Sequence, residues 1–152
     1  MKNIASSWKL GVSCILFDSP KFEKLLLIQR EREPLKWSYP GGKLEPYESV
    51  KLGIEREVYE ETGYRVNIIE NSLYNVEEFR EIGYLVITGM AFLHDVKPQL
   101  EGRTPEDIAI EQKLFSLNKK EENNFWDLND DDCIPNLKII TQRFLDIYKG
   151  KY

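Results

Sequence analysis

The chain has 152 residues, the size of one domain and too short for two well-buried cores, so residues 1–152 are read as a single domain. Hydrophobic residues at 41%, aromatics at 12% and charged residues at 31% provide a packed interior and a solvated surface, which excludes a disordered chain. A net charge of −5 with a pI near 5.1 argues against nucleic acid as a partner, because backbone binding relies on clustered Lys and Arg. It leaves room for a phosphorylated small molecule, since a divalent cation inverts the local field of an acidic site.

The start, MKNIASSWKLGV, lacks the apolar stretch of a signal peptide, and no apolar run reaches membrane-spanning length. A cytoplasmic location without a membrane partner is therefore expected, and a homodimer is left open. Residues 9–17 are rich in apolar and β-branched types and read as a strand; residues 18–22 are turn chemistry, and 23–30 read as a second strand, completing a hairpin. The following loop contains Pro40-Gly41-Gly42, which is expected to continue neither a helix nor a central strand. Residues 49–62 read as a helix with Ser49 as N-cap, Gly63 as the left-handed terminator, and Val50, Ile54 and Val58 as an apolar stripe. Two strands are expected in 64–79 and 84–95, a loop over 96–107 and another strand over 108–117. A polar loop should follow, with Asp130, Asp131 and Asp132 as solvated surface, and then a closing amphipathic helix. That helix has Pro135 near its start and Leu137, Ile140, Phe144 and Ile147 along one face. Cys14, in an apolar run, is expected to be a buried core thiol and Cys133 to lie in a polar loop; two isolated cysteines give neither a disulfide framework nor a zinc spacing. Strands and helices alternating in one short chain predict the α/β (α+β) class, with a mixed β-sheet covered by helices.

The helix over 49–62 is unusual on its polar side. Glu57, Glu60 and Glu61 stand at i, i+3 and i+4 and share one face within a turn, and Glu48 adds a fourth carboxylate just ahead of the helix. Like charges at this spacing repel. At 3.6 residues per turn, Glu61 also falls within about 20° of the Val50–Ile54 stripe, so the acids adjoin the buried face. A divalent cation resolves both problems, since oxygen ligands on a rigid element suit Mg²⁺ or Mn²⁺. A solvated acidic face, paired with Lys51 and Arg56, is the competing reading of the helix alone.

Residues 42–64, GKLEPYESVKLGIEREVYEETGY, decide between them. The segment resembles the Nudix box, with Gly42, Glu48, Arg56, Glu57, Val58, Glu60, Glu61 and Gly63 on every demanded position and Tyr64 in place of the final aliphatic residue. LLLIQR before the box, WSYPGG entering it and IEQKLF downstream are similar to the family's flanks. The resemblance implies an α/β/α sandwich with a loop-helix-loop catalytic motif. It further implies that Glu57, Glu60 and Glu61, with the carbonyl of Gly41, bind divalent metal. Glu48 and Arg56 would then fix the motif's geometry through an ion pair. Bound cations would neutralise a diphosphate and lower the pKa of an attacking water. The general base is either Glu57 or a downstream acid: Glu106, Asp107 or Glu111.

Arg30 and Arg32 alternate onto one face of the strand end before the box, where they either meet substrate phosphate or form a charged terminus. Trp37 and Tyr39 are candidates to stack on a base, with Trp37 more at home in the core. His94 reads as a surface residue at a strand end. The expected substrate is a nucleoside triphosphate or another nucleoside diphosphate-linked molecule. The absence of proline between Gly63 and Pro98 counts against the family's ADP-ribose-cleaving group, and neither Tyr74 nor Tyr84 sits where dinucleoside-polyphosphate hydrolases carry their tyrosine. Two rival functions are a catalytically silent, nucleotide-sensing Nudix domain and a Nudix-fold isoprenoid diphosphate isomerase. The first usually loses box glutamates that are all kept here, and the second needs a cysteine and a glutamate in the pocket.

Overall fold

The structure is a computed structural model that describes residues 8–29, 35–69, 71–94, 97–99 and 111–152. Its strands are β1 (Lys9–Phe17), β2 (Lys24–Gln29), β3 (Trp37–Ser38), β4 (Gly41–Lys43), β5 (Val66–Ile68), β6 (Asn75–Phe79), β7 (Tyr84–Leu93) and β8 (Glu111–Ser116). The two α-helices among the described residues are α1 (Val50–Thr62) and α2 (Leu137–Tyr148). Among the described residues, no helix is long and apolar enough to cross a membrane.

All eight strands join one mixed sheet. β1 lies parallel to β7 along its whole length, from Lys9 opposite Tyr84 to Phe17 opposite Phe92. Its other edge is shared: Leu16 and Phe17 pair with Leu26 and Leu25 of β2, while Gly11, Val12 and Ser13 pair with Lys43, Gly42 and Gly41 of β4. The β1–β2 hairpin therefore splays, and the 37–43 segment fills the gap, with β3 pairing the far end of β2 and Cys14 N–H donating to Pro40 C=O at 2.9 Å. The loop is not wholly outside the sheet: Gly41 and Gly42 enter it as the short strand β4, which pairs with β1 alone, while Pro40 stays out and no central strand forms there. The two glycines enter because an added Cβ at Gly41 would stand 2.2 Å from Val12 C=O and 2.6 Å from Ser13 Cα, an approach no side chain permits.

Strand pleating sends alternate residues of β1 to opposite faces. Val12, Cys14 and Leu16 meet Ile54, Val58, Tyr64, Val66 and Ala91 on the side of α1. Ile15 and Phe17 meet Met90, Phe115, Leu137, Ile140 and Phe144 on the side of α2. This is the expected α/β/α arrangement, and each wholly buried aliphatic such as Ile54 or Val58 contributes about 1.5–3 kcal/mol of hydrophobic stabilisation. Tyr64 is buried, so the aromatic at the box's last position packs in place of an aliphatic residue.

Three further expectations change. The strand expected over 64–79 is two, β5 and β6, separated by a turn in which Ser72 N–H and Oγ–H both donate to Ile69 C=O. The polar loop after β8 folds into two short 3₁₀ turns, Phe125–Asp127 and Asp130–Asp132; Asn124 caps the first through Trp126 N–H and Asp127 N–H, and Phe125 is wholly buried. Cys133, expected in a polar loop, is buried: its backbone bridges to Trp37 and draws the thiol into the α2-side core. The three aspartates are exposed, as expected.

Candidate active site

Helix α1 is fixed at both ends by local chemistry. Ser49 has extended backbone angles and its Oγ accepts from Leu52 N–H at 3.2 Å. Gly63 adopts φ 79°, a conformation that favours glycine, and its N–H donates to Tyr59 C=O at 2.8 Å. Gly53 sits mid-helix, where glycine costs about 1 kcal/mol relative to alanine. The reason is contact: a Cβ there would lie 2.4 Å from Leu44 Cδ1 and 3.0 Å from Glu48 Oε1. The smallest residue lets the loop ahead of the helix close down on it.

That loop turns at Glu45–Glu48, with Glu48 N–H donating to Glu45 C=O and Glu48 Oε1 accepting from Glu45 N–H. Tyr47 occupies the turn with φ 64° and a fully exposed side chain. Glu48 then grips Arg56 in a two-point fork, Nε to Oε2 at 2.7 Å and Nη2 to Oε1 at 2.9 Å, the strong planar geometry of paired guanidinium and carboxylate. Nη2 also donates to Lys43 C=O at 3.0 Å, and Nη1 donates to Glu57 Oε1 at 3.0 Å and Glu60 Oε2 at 3.1 Å. Those bonds, led by the one to Glu48, raise the Arg56 pKa and hold the Glu48 carboxyl below its ordinary range.

Glu61, 8% exposed, is drawn inward, and its Oε1 accepts from Gly41 N–H at 2.6 Å, joining the end of α1 to β4 across the splayed hairpin. Glu57 lies against Gly42, where an added Cβ would stand 2.4 Å from Oε2. The structure thus links Glu48, Glu57 and Glu60 through Arg56, and Glu61 to the Gly41 N–H. Missed by the sequence reading are Gly53 and the Lys43 carbonyl; an isolated glycine inside a helical pattern was the available signal for the first.

Other candidates fall elsewhere. Tyr39 is not placed to stack on substrate: it is 4% exposed, and its hydroxyl donates to Leu137 C=O at 2.9 Å and lies 2.6 Å from Thr141 Oγ1, pinning α2 to the sheet. Burial, the largest cause, pushes its pKa up. Trp37 packs edge-on against Phe115 in the core, as expected. Glu111 is exposed at the first position of β8, opposite Gln29. His94 is exposed at the end of β7. Arg30, Arg32, Glu106 and Asp107 lie outside the described residues.

The donor chemistry fits a hard divalent cation: carboxylate oxygens on one rigid helical turn. Among the described residues, no three acidic, histidine or cysteine side chains stand at metal-ligating spacing, for Arg56 lies between Glu57 and Glu60 and Glu61 is bonded to Gly41. A positive nitrogen already touching two of the carboxylates marks where a cation's charge would be welcome, and Gly42 leaves the space that Glu57 occupies.

The family profile described as NUDIX domain matches residues 8–136. The chain belongs to the Nudix family. Among curated Nudix relatives, mouse diphosphoinositol polyphosphate phosphohydrolase 2 is 38% identical over 113 residues, covering 72% of this chain and 63% of the relative. Mouse diphosphoinositol polyphosphate phosphohydrolase 3-alpha is 38% identical over 58 residues, so the chain spans only 35% of that relative's length. Among solved structures, a NUDIX hydrolase from Nitrosomonas europaea superposes with a TM-score of 0.67 at 27% identity, covering 91% of this chain and 70% of that one.

Proposed function

We propose that this Nudix chain is a divalent-cation-dependent hydrolase that cleaves a diphosphate linkage in a nucleoside triphosphate or another nucleoside diphosphate-linked small molecule. The observation that carries the reading is the gathering of Glu57, Glu60 and Glu61 on one turn of α1 beside the Gly41–Gly42 edge of β4. Glu57, Glu60, Glu61 and the Gly41 carbonyl would hold Mg²⁺ or Mn²⁺. When bound, such cations neutralise phosphate charge and lower the pKa of an attacking water.

The chain's own groups do the rest. The Glu48–Arg56 fork holds the loop at the head of α1, and Gly53 lets that loop sit close. Contact with Gly42 sets the approach of Glu57, and the Glu61–Gly41 bond fixes α1 relative to the sheet. Glu57 takes the proton from water, or an acid among Glu106, Asp107 and Glu111 does so. Arg30 and Arg32, just beyond β2, meet substrate phosphate.

A panel of nucleoside triphosphates, nucleotide sugars, ADP-ribose and a diphosphoinositol polyphosphate, assayed in Mg²⁺ and in excess chelator, tests this. Release of phosphate or nucleoside monophosphate with at least one compound, in Mg²⁺ only, is the expected result. Full activity in chelator removes the cation, and silence across the panel favours a nucleotide sensor. The isomerase reading is disfavoured by the thiols: Cys14 is wholly buried beneath α1, with its pKa raised by that burial, and Cys133 is 3% exposed.

A further inference from the structure

A guanidinium has five N–H donors, and Arg56 spends every one of them. Nε donates to Glu48; Nη2 donates to Glu48 and to the Lys43 carbonyl; Nη1 donates to Glu57 and Glu60. The five bonds fall into two groups. Three tie the loop of residues 43–48 to the helix. The other two end on carboxylates that the proposed function assigns to a divalent cation, and this inference rests on that assignment.

We propose that Arg56 Nη1 is the internal counter-cation of the metal-free site, displaced from Glu57 and Glu60 when a divalent cation binds, while Nε and Nη2 keep their hold on Glu48 in both states. Nη1 and a divalent cation compete for the same oxygens. Glu57 and Glu60 share a helical face at i, i+3 and repel one another unless a positive charge stands between them. Nη1 stands there, touching both at 3.0 and 3.1 Å. A divalent cation needs the same oxygens and repels the guanidinium, so its binding breaks contacts the metal-free state enjoys. The contacts to Glu48 involve neither of those acids and stay in place. Helix α1 can therefore hold its acid-bearing turn folded in either state, and the cation's affinity is reduced by what Nη1 must surrender.

The experiment compares wild type, Arg56→Ala and Glu48→Gln by melting in chelator and in saturating Mn²⁺, with Mn²⁺ affinity from calorimetry. Arg56→Ala should lose more stability in chelator than in Mn²⁺, and by linkage should bind Mn²⁺ about fivefold tighter, the scale of releasing two partly exposed ion pairs. Glu48→Gln keeps Nη1 in place, so its deficit should be the same in both media. If Arg56 is only a staple for the loop, both variants show equal, cation-independent deficits and Mn²⁺ binds Arg56→Ala no more tightly; that result overturns the proposal. Should Arg56→Ala fold only with Mn²⁺, the proposal is supported. Should it fold in neither medium, Arg56→Lys, which offers one ammonium in place of the fork, is judged by the same comparison. A wild type that gains neither stability nor heat from Mn²⁺ removes the cation site itself, and this inference with it.

Discussion

Two adjacent glycines offer a sharp separation between folding and chemistry. A methyl group at Gly42 would stand 2.4–2.6 Å from the carboxylate atoms of Glu57, the free end of a flexible side chain. At Gly41 it would stand 2.2 Å from Val12 C=O and 2.6 Å from Ser13 Cα, both backbone. Gly42→Ala can relieve its clash by swinging Glu57 about 1 Å aside, which leaves the fold nearly intact but misplaces a carboxylate that the proposed function assigns to the chemistry; displacement on that scale costs about a hundredfold in rate. Gly41→Ala has no such escape and must part β4 from β1. Overpacking of this kind costs about 1–3 kcal/mol, or roughly 2–12 °C of melting temperature in a domain this size. Melting curves in chelator, beside rates on whichever compound the panel identifies, check both halves. The expected pattern is a slow enzyme of near-normal stability for Gly42→Ala and a less stable protein for Gly41→Ala. A Gly42→Ala variant of wild-type rate, or a Gly41→Ala variant of wild-type melting temperature, refutes the reasoning.

Glu57→Gln and Glu60→Gln each exchange an ion pair with Arg56 for relief of crowding, so melting in chelator should stay within about 1 kcal/mol of wild type, while rate falls at least about a hundredfold and most of the cation-induced rise disappears. A variant melting far below wild type in chelator marks that glutamate as structural. Tyr39→Phe removes hydrogen bonds to Leu137 and Thr141 and should cost about 1–2 kcal/mol of stability without changing nucleotide affinity; weakened binding at unchanged stability would return Tyr39 to the substrate site. Arg56 depresses the Glu48 pKa below its ordinary value of 4.5, so the stability this provides is complete above about that pH and is lost as pH falls through the lower folded value. Melting between neutral and strongly acidic pH should show Glu48→Gln less stable than wild type at neutrality, with the gap closing on acidification; a constant gap contradicts the role given to the fork.

Helix α1 was legible because its signals are local: Ser49 and Gly63 act on their own backbone, and the Ile54–Val58 stripe sets the phase that buries Glu61. The sheet's branching was not, since whether Gly41 and Gly42 enter it depends on an approach to Val12 and Ser13 that no side-chain pattern records. Tyr39 reads the same in sequence whether it faces solvent or α2; only its reach to Thr141, on the chain's last helix, decides. Phe125 and Cys133 were hidden by polar neighbours that cap turns and face water while these two turn inward. The crowded acids were legible from their spacing, and the pairing of Arg56 with them was part of the competing reading of the helix; that Nη1 alone reaches both Glu57 and Glu60 was not legible.

The parallel seam between β1 and β7 bears on the order in which the molecule comes together. Ser13 and Thr88, whose hydroxyls meet at 2.6 Å across it, are 75 positions apart, whereas Glu61 reaches Gly41 over 20. Pairings that close long loops form slowly, because chain entropy is lost before any bond compensates it. The stretch from β1 through α1 has its own nearby partners, in the hairpin, in β4 and in the α1 stripe laid on Val12, Cys14 and Leu16. Ile15 and Phe17, on the opposite face, find Phe22 early but complete their cluster only with Leu137 and Phe144 near the end of the chain. A ribosome therefore delivers the acid-bearing half first, with the α1 side of its central strand largely matched and the α2 side completed only when the last helix emerges.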